Sequence, residues 1–124
     1  MSRRILIVED QEDNRAILRD LLSTAGYELI EATNGQEGVE LAQQQRPDLI
    51  LMDINLPVLD GYEATRRIKG GASLGATPII AVTSYALSGD EAKARTAGCD
   101  GYVTKPFSPR QLLAKLREYL GEDG

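Results

Sequence analysis

Three runs in this chain, Ile5-Leu6-Ile7-Val8, Leu49-Ile50-Leu51-Met52 and Ile79-Ile80-Ala81-Val82, are apolar at every position. A strand with one face in water alternates apolar and polar residues, whereas a strand covered on both faces reads as a continuous apolar run. The segments between them carry apolar residues at helical spacing instead. After the first run come Ile17, Leu18, Leu21, Leu22 and Ala25, stopped by Gly26. Tyr27–Ala32 reads as a short second strand, and Tyr102-Val103 anchors a fifth.

Helix starts are punctuated in the same way. Asn34 with Glu37, Asp60 with Glu63 and Ser88 with Glu91 each pair a capping residue with a carboxylate three positions on. Ser108 precedes Pro109, with Gln111 in the third helical position. The second helix carries Val39, Leu41 and Ala42 and ends before Pro47, and the third runs through Ile68 to Gly70-Gly71. The fourth closes at Gly98, and the fifth buries Leu112, Leu113, Leu116, Tyr119 and Leu120 before Gly121. Five strands and five helices in strict alternation predict an α/β fold, because right-handed crossovers give a parallel sheet between two helical layers. No repeat, low-complexity segment or linker divides residues 1–124, so a single domain is expected, with no room after the last helix for an output domain. Gly70–Thr77, rich in small residues, is the expected mobile connection.

Composition narrows the function. At 124 residues, with 42% hydrophobic and 27% charged, the chain can bury a core without disulfides. No apolar run approaches the roughly 18 residues of a membrane helix. Met1–Arg4 shows no signal-peptide design, and the lone Cys99 fits a reducing, cytoplasmic setting. The absence of histidine excludes a Ser-His-Asp triad, a His-rich zinc site and an internal phosphohistidine. A net charge of −5 argues against nonspecific nucleic-acid binding.

The ends of the strands carry the chemistry. Arg3–Val8 runs into Glu9-Asp10, Asp48–Met52 into Asp53, Pro78–Val82 into Thr83, and Gly101–Thr104 into Lys105-Pro106. In an open parallel sheet all carboxyl ends share one edge, where ligands bind. Taken singly, each residue has a bland reading: an amide-capping aspartate, an acidic helix start, a solvated lysine, a strand-forming threonine. Together they supply a carboxylate nucleophile at Asp53, further carboxylates that call for a hard cation, and donors for phosphate oxygens. Magnesium suits such an all-oxygen set, because it keeps several waters and binds through one or two carboxylates plus a phosphate.

The pattern Glu9-Asp10, Leu51 to Pro57 around Asp53, Asp60-Gly61, Val82-Thr83-Ser84 and Lys105-Pro106-Phe107 resembles the receiver domain of bacterial two-component response regulators. The resemblance covers essentially the whole chain. It implies a flavodoxin-like sheet of order 2-1-3-4-5, which periodicity alone does not give. It also implies that Asp53 accepts a phosphoryl group from a phosphohistidine on a partner histidine kinase or phosphotransfer protein. Asp10, Asp53 and the backbone carbonyl of Asn55 would hold Mg2+, with Glu9 supporting. Lys105 would pair with the phosphate, across a cis bond to Pro106, with Thr83 and Ser84 as further phosphate contacts. Thr83 and Tyr102 would form the switch, altering the face of the fourth helix, fifth strand and fifth helix that meets a downstream protein target.

Other classes fit less well. A phosphohydrolase of the haloacid dehalogenase type usually has a second acid where this chain has Asn55. A flavodoxin-like cofactor binder needs a phosphate loop where Glu9 to Asp13 would repel phosphate. A receiver that works without phosphorylation leaves the complete site unexplained. The expectation is a signalling phosphoacceptor, not an enzyme, with no nucleic-acid or membrane partner. Tyr85, two residues after Thr83, is expected near the cleft mouth, where its ring would slow hydrolysis of the acyl phosphate. Glu91, Lys93, Arg95, Asp100, Lys115 and Arg117 offer charges for a weak dimer, with a monomer the alternative.

Overall fold

Side chains alternate across a strand, so an all-apolar strand must feed two cores at once. A computed structural model describes residues 3–54, 56, 58–71, 75–83, 90–105 and 107–121 of the chain. Its elements are β1 (Arg4–Val8), α1 (Glu12–Thr24), β2 (Glu28–Ala32), α2 (Gly35–Gln45), β3 (Leu49–Asp53), α3 (Gly61–Lys69), β4 (Ile79–Thr83), α4 (Asp90–Ala97), β5 (Gly101–Thr104) and α5 (Pro109–Leu120). The strands form one parallel sheet in the order β2-β1-β3-β4-β5. Leu6, Val8, Ile50, Met52, Ile79 and Ala81 face one core with Val39, Ala42, Ala64 and Ile68 of α2 and α3. Ile5, Ile7, Leu49, Leu51, Ile80 and Val82 face the other, with Leu18 and Leu22 of α1 and Leu112, Leu116 and Leu120 of α5. Full burial of each such Leu or Ile contributes about 1.5–3 kcal/mol, so both helical layers are held by the same strands.

The strands read above as Arg3–Val8, Tyr27–Ala32, Asp48–Met52 and Pro78–Val82 each start one residue later, at Arg4, Glu28, Leu49 and Ile79. Tyr27 is buried just ahead of β2, and Asp53 and Thr83 are the last residues of β3 and β4, not the first beyond them. Not every apolar residue at helical spacing in α1 reaches the core: Ile17 is 62% exposed, because α1 turns Leu18 and Leu22 to the sheet instead. Ala25, the C-cap of α1, is also exposed.

The caps follow their chemistry with one shift of register. Ser108 and Gln111 form a reciprocal capping box on α5. Asn34 Oδ1 accepts from Glu37 N, but the Glu37 carboxylate reaches Thr33 N rather than Asn34. Asp60 caps α3 through Glu63 N, while the Glu63 carboxylate turns to Arg66 and Arg67. The Ser88 start lies outside the described residues, as do residues 72–74 of the Gly70–Thr77 connection. The described part of that connection is fastened by Lys69, whose Nζ donates to the carbonyls of Gly75 (3.3 Å) and Thr77 (2.6 Å). Asp100, proposed above as a charge for dimer contacts, is committed within the chain: its carboxylate accepts from Lys69 Nζ and Ile79 N. Among the described residues, no helix is long and apolar enough to cross a membrane.

Candidate phosphoacceptor site

Sheet register brings the site together. Val8 pairs with Met52, so the next residues, Glu9 and Asp53, stand side by side at the carboxyl edge of the sheet. Thr83 pairs with Thr104, which places Lys105 one step beyond. Alternation then selects a face: Glu9 follows Ile5 and Ile7, and Asp53 follows Leu49 and Leu51, both toward the α1–α5 side. Lys105 follows Val103 on the same side. Thr83 follows Ile79 and Ala81, on the other.

The distances match that argument. One carboxylate oxygen each from Glu9, Asp10 and Asp53 lies within 4.8 Å of the others. Lys105 Nζ donates to Glu9 Oε1 at 2.9 Å and stands 3.6 Å from Asp53 Oδ2. Glu9 and Asp53 are buried, at 2% and 7% exposure, and Thr83 is buried at 4%. Burial pushes the Glu9 carboxyl up, but the Gln11 amide and Lys105 outweigh it and hold it below the usual glutamate value. Three carboxylates facing one ammonium leave an excess of negative charge in a cleft whose facing donors are oxygens. That set fits a small, hard divalent cation.

Backbone packing fixes the acceptor. Gly61 opens α3 against the end of β3, where a Cβ would lie 2.3 Å from the Asp53 carbonyl and 2.7 Å from Ile54 Cα. Gly61 N also donates to Ile54 O at 3.0 Å. Only glycine lets the helix start this close, which is the physical content of the Asp60-Gly61 pair. On β5, Lys105 N donates to Thr83 O at 2.6 Å, tying the ends of β4 and β5. Tyr102 is half-buried and lines a groove of about 390 Å3 with Val103, Thr104, Phe107, Gln111 and Lys115.

Residues 5–117 match the family model of the response regulator receiver domain. The chain belongs to that family. As a receiver it is 44% identical over 122 residues to the polar-differentiation response regulator DivK of Brucella anthropi, covering 98% of this chain and 99% of DivK. Among solved structures, the receiver domain of the sensor histidine kinase PA1611 from Pseudomonas aeruginosa is 40% identical at a TM-score of 0.91, covering 98% of this chain and 99% of that one. That domain was crystallised with magnesium coordinated in its active site cleft. The chemotaxis protein CheY4 of Vibrio cholerae is 30% identical, also at a TM-score of 0.91, covering 96% of this receiver and 99% of that protein. The flavodoxin-like order 2-1-3-4-5 is the order of this sheet.

Of the residues named from the sequence, the receiver fold gathers Glu9, Asp10, Asp53 and Lys105, with Thr83 at the adjoining strand end. Asn55, Ser84, Tyr85 and Pro106 lie outside the described residues, and with them the expected cis bond. Arg15, which no motif in the sequence marks, donates from Nη1 to the Glu9 carbonyl at 2.8 Å. The spacing of Glu12, Arg15 and Arg19 along one helical face was its only signal. Cys99 is buried beside Thr65, and burial pushes its thiol up, so it is not an activated nucleophile.

Proposed function

We propose that this receiver is a phosphorylation-controlled switch whose acceptor is Asp53. An Asp53 carboxylate oxygen attacks the phosphorus of a phosphohistidine on a partner kinase or phosphotransfer protein. A P–O bond forms, the P–N bond breaks, and the imidazole nitrogen keeps the electron pair. Lys105, already between Glu9 and Asp53, pairs with the charge on the transferred group. The Thr83 hydroxyl and Ser84 accommodate its oxygens. Asp10, Asp53 and the backbone carbonyl of Asn55 would hold Mg2+, with Glu9 in support; when bound, the ion neutralises the carboxylates and the incoming phosphate.

The readout belongs to Thr83 and Tyr102, which change the surface of α4, β5 and α5 offered to a downstream protein. The observation that carries this reading is the meeting of Glu9, Asp10 and Asp53 within 4.8 Å, with Lys105 beside them. The reading includes stand-alone action of residues 1–124 in the cytoplasm, as a signalling protein and not an enzyme on a separate substrate. The DivK relative, covered over 99% of its length, supports that scale.

Acetyl phosphate with Mg2+ tests it, read by intact mass. The wild type gains one phosphate, Asp53→Ala gains none, and omission of Mg2+ abolishes the adduct. Repeated absence of an adduct, with beryllofluoride also leaving the fold unperturbed, would favour a receiver that binds its partners without phosphorylation.

A further inference from the structure

Glu9 is held at every polar atom. Its N–H donates to Ala32 O at 3.0 Å, Oε2 accepts from Gln11 N at 3.0 Å, and Oε1 accepts from Lys105 Nζ at 2.9 Å. The remaining group, the carbonyl, accepts from Arg15 Nη1 at 2.8 Å. That carbonyl lies in the peptide plane shared with Asp10, so whatever orients it also orients the start of Asp10.

Arg15 is built for the task. Its side chain is only 12% exposed, and its planar fork meets three elements at once. Besides the Glu9 carbonyl, Nη2 pairs with Glu12 in the first turn of α1, and Nε lies 3.5 Å from Glu31 Oε1 on β2. Glu31 is anchored in turn by Arg19, through two bonds of 2.8 Å, and sits in register with Ile7, two residues before Glu9. Arg19 also reaches Glu12. The guanidinium therefore ties the turn after β1 to a rigid strand and to the helix start. Two arginines and two glutamates balance in this group, so Arg15 brings little net field to the neighbouring carboxylates.

We propose that Arg15 is a positioning residue for the cation site, clamping the Glu9 carbonyl so that Glu9 and Asp10 face Asp53; the inference rests on the magnesium reading above. Charge and position predict opposite signs here. Removing a positive charge near a cation site should tighten binding by Coulomb's law, whereas releasing the turn should weaken it. Loss of an outer partner of metal ligands typically costs about 10–100-fold in affinity.

The test is the Mg2+ dissociation constant by titration calorimetry on the full chain, with unfolding midpoints measured in parallel. Arg15→Gln should bind about tenfold more weakly. Arg15→Lys, which keeps the charge but cannot span three acceptors, should fall between it and the wild type, and serves alone where Arg15→Gln does not fold. Arg19→Gln removes the same charge from the same group without touching Glu9, so it carries the charge effect alone and should not weaken the affinity. Equal or tighter binding by the Arg15 variants, or equal weakening by Arg19→Gln, would overturn the proposal while the cation site stood. A wild type that took up no Mg2+ would overturn the magnesium reading and the proposal with it.

Discussion

Val58 shows what a single backbone angle costs. It lies in the turn between Asp53 and α3, 84% exposed, at a φ of 70°. A β-branched residue in the left-handed region brings its Cβ against the following carbonyl, a cost of roughly 1–2 kcal/mol. At such exposure the side chain gains little from burial to offset that. Val58→Asn, which tolerates left-handed backbone, should therefore raise the unfolding free energy by about 1 kcal/mol; an unchanged urea midpoint would show that the turn carries no such strain. Nothing in the sequence marks this position, since Val58 reads as any loop residue. The carboxylates and Lys105 were legible because they break apolar runs, and an ionisable group at the end of a buried strand has few other reasons to be there. Arg15 was not, because its decisive partner is a backbone carbonyl. Ile17 marks a related limit, since apolar character shows what a residue tolerates, not which way its helix is turned.

At the scale of elements, α1 is joined to β2 by more than the packing of Leu18 and Leu22. Bonds from Arg19 hold the Glu31 carboxyl below the ordinary value of 4.5, with burial opposing them. The folded-state value is depressed, so the stabilisation is complete above the unfolded value and is lost as pH falls through the folded one. Glu31→Gln should cost roughly 0.5 kcal/mol near neutrality, a modest figure because water screens the pair. The gap from the wild type should close on acidification below pH 4.5. Urea unfolding of both proteins across that range checks it; a gap independent of pH would mean that Glu31 acts by shape alone. Element order was legible from the sequence because caps and glycines punctuate it, as Ser108 with Gln111 shows. The displaced box at Asn34 was not, since either Asn34 or Thr33 presents a local donor that Glu37 can reach.

Across the whole molecule, the two edges of the sheet do different work. At the carboxyl edge, buried carboxylates are brought together against their mutual repulsion. At the amino edge, Asp100 is a hub: its carboxylate takes Ile79 N at 2.9 Å and Lys69 Nζ at 2.8 Å, and its carbonyl takes the Tyr119 hydroxyl at 2.7 Å. The fold is fastened where nothing reacts and left charged where the acceptor stands. Asp53→Asn should accordingly raise stability without Mg2+ by about 1 kcal/mol, through relief of repulsion, and abolish phosphate uptake. Asp100→Ala should lower stability by about 2 kcal/mol, because Lys69 and the Ile79 amide lose their partner, and leave phosphate uptake intact. The two sites stand three residues apart along β4, roughly 10 Å, and two strands apart across the sheet. They share no side-chain partner in the bonds described, so the double variant should show the sum of the two effects within about 0.5 kcal/mol. A larger coupling in urea unfolding would mean that the fastened edge also sets the strain at the acceptor, and the division of labour between the edges would fail.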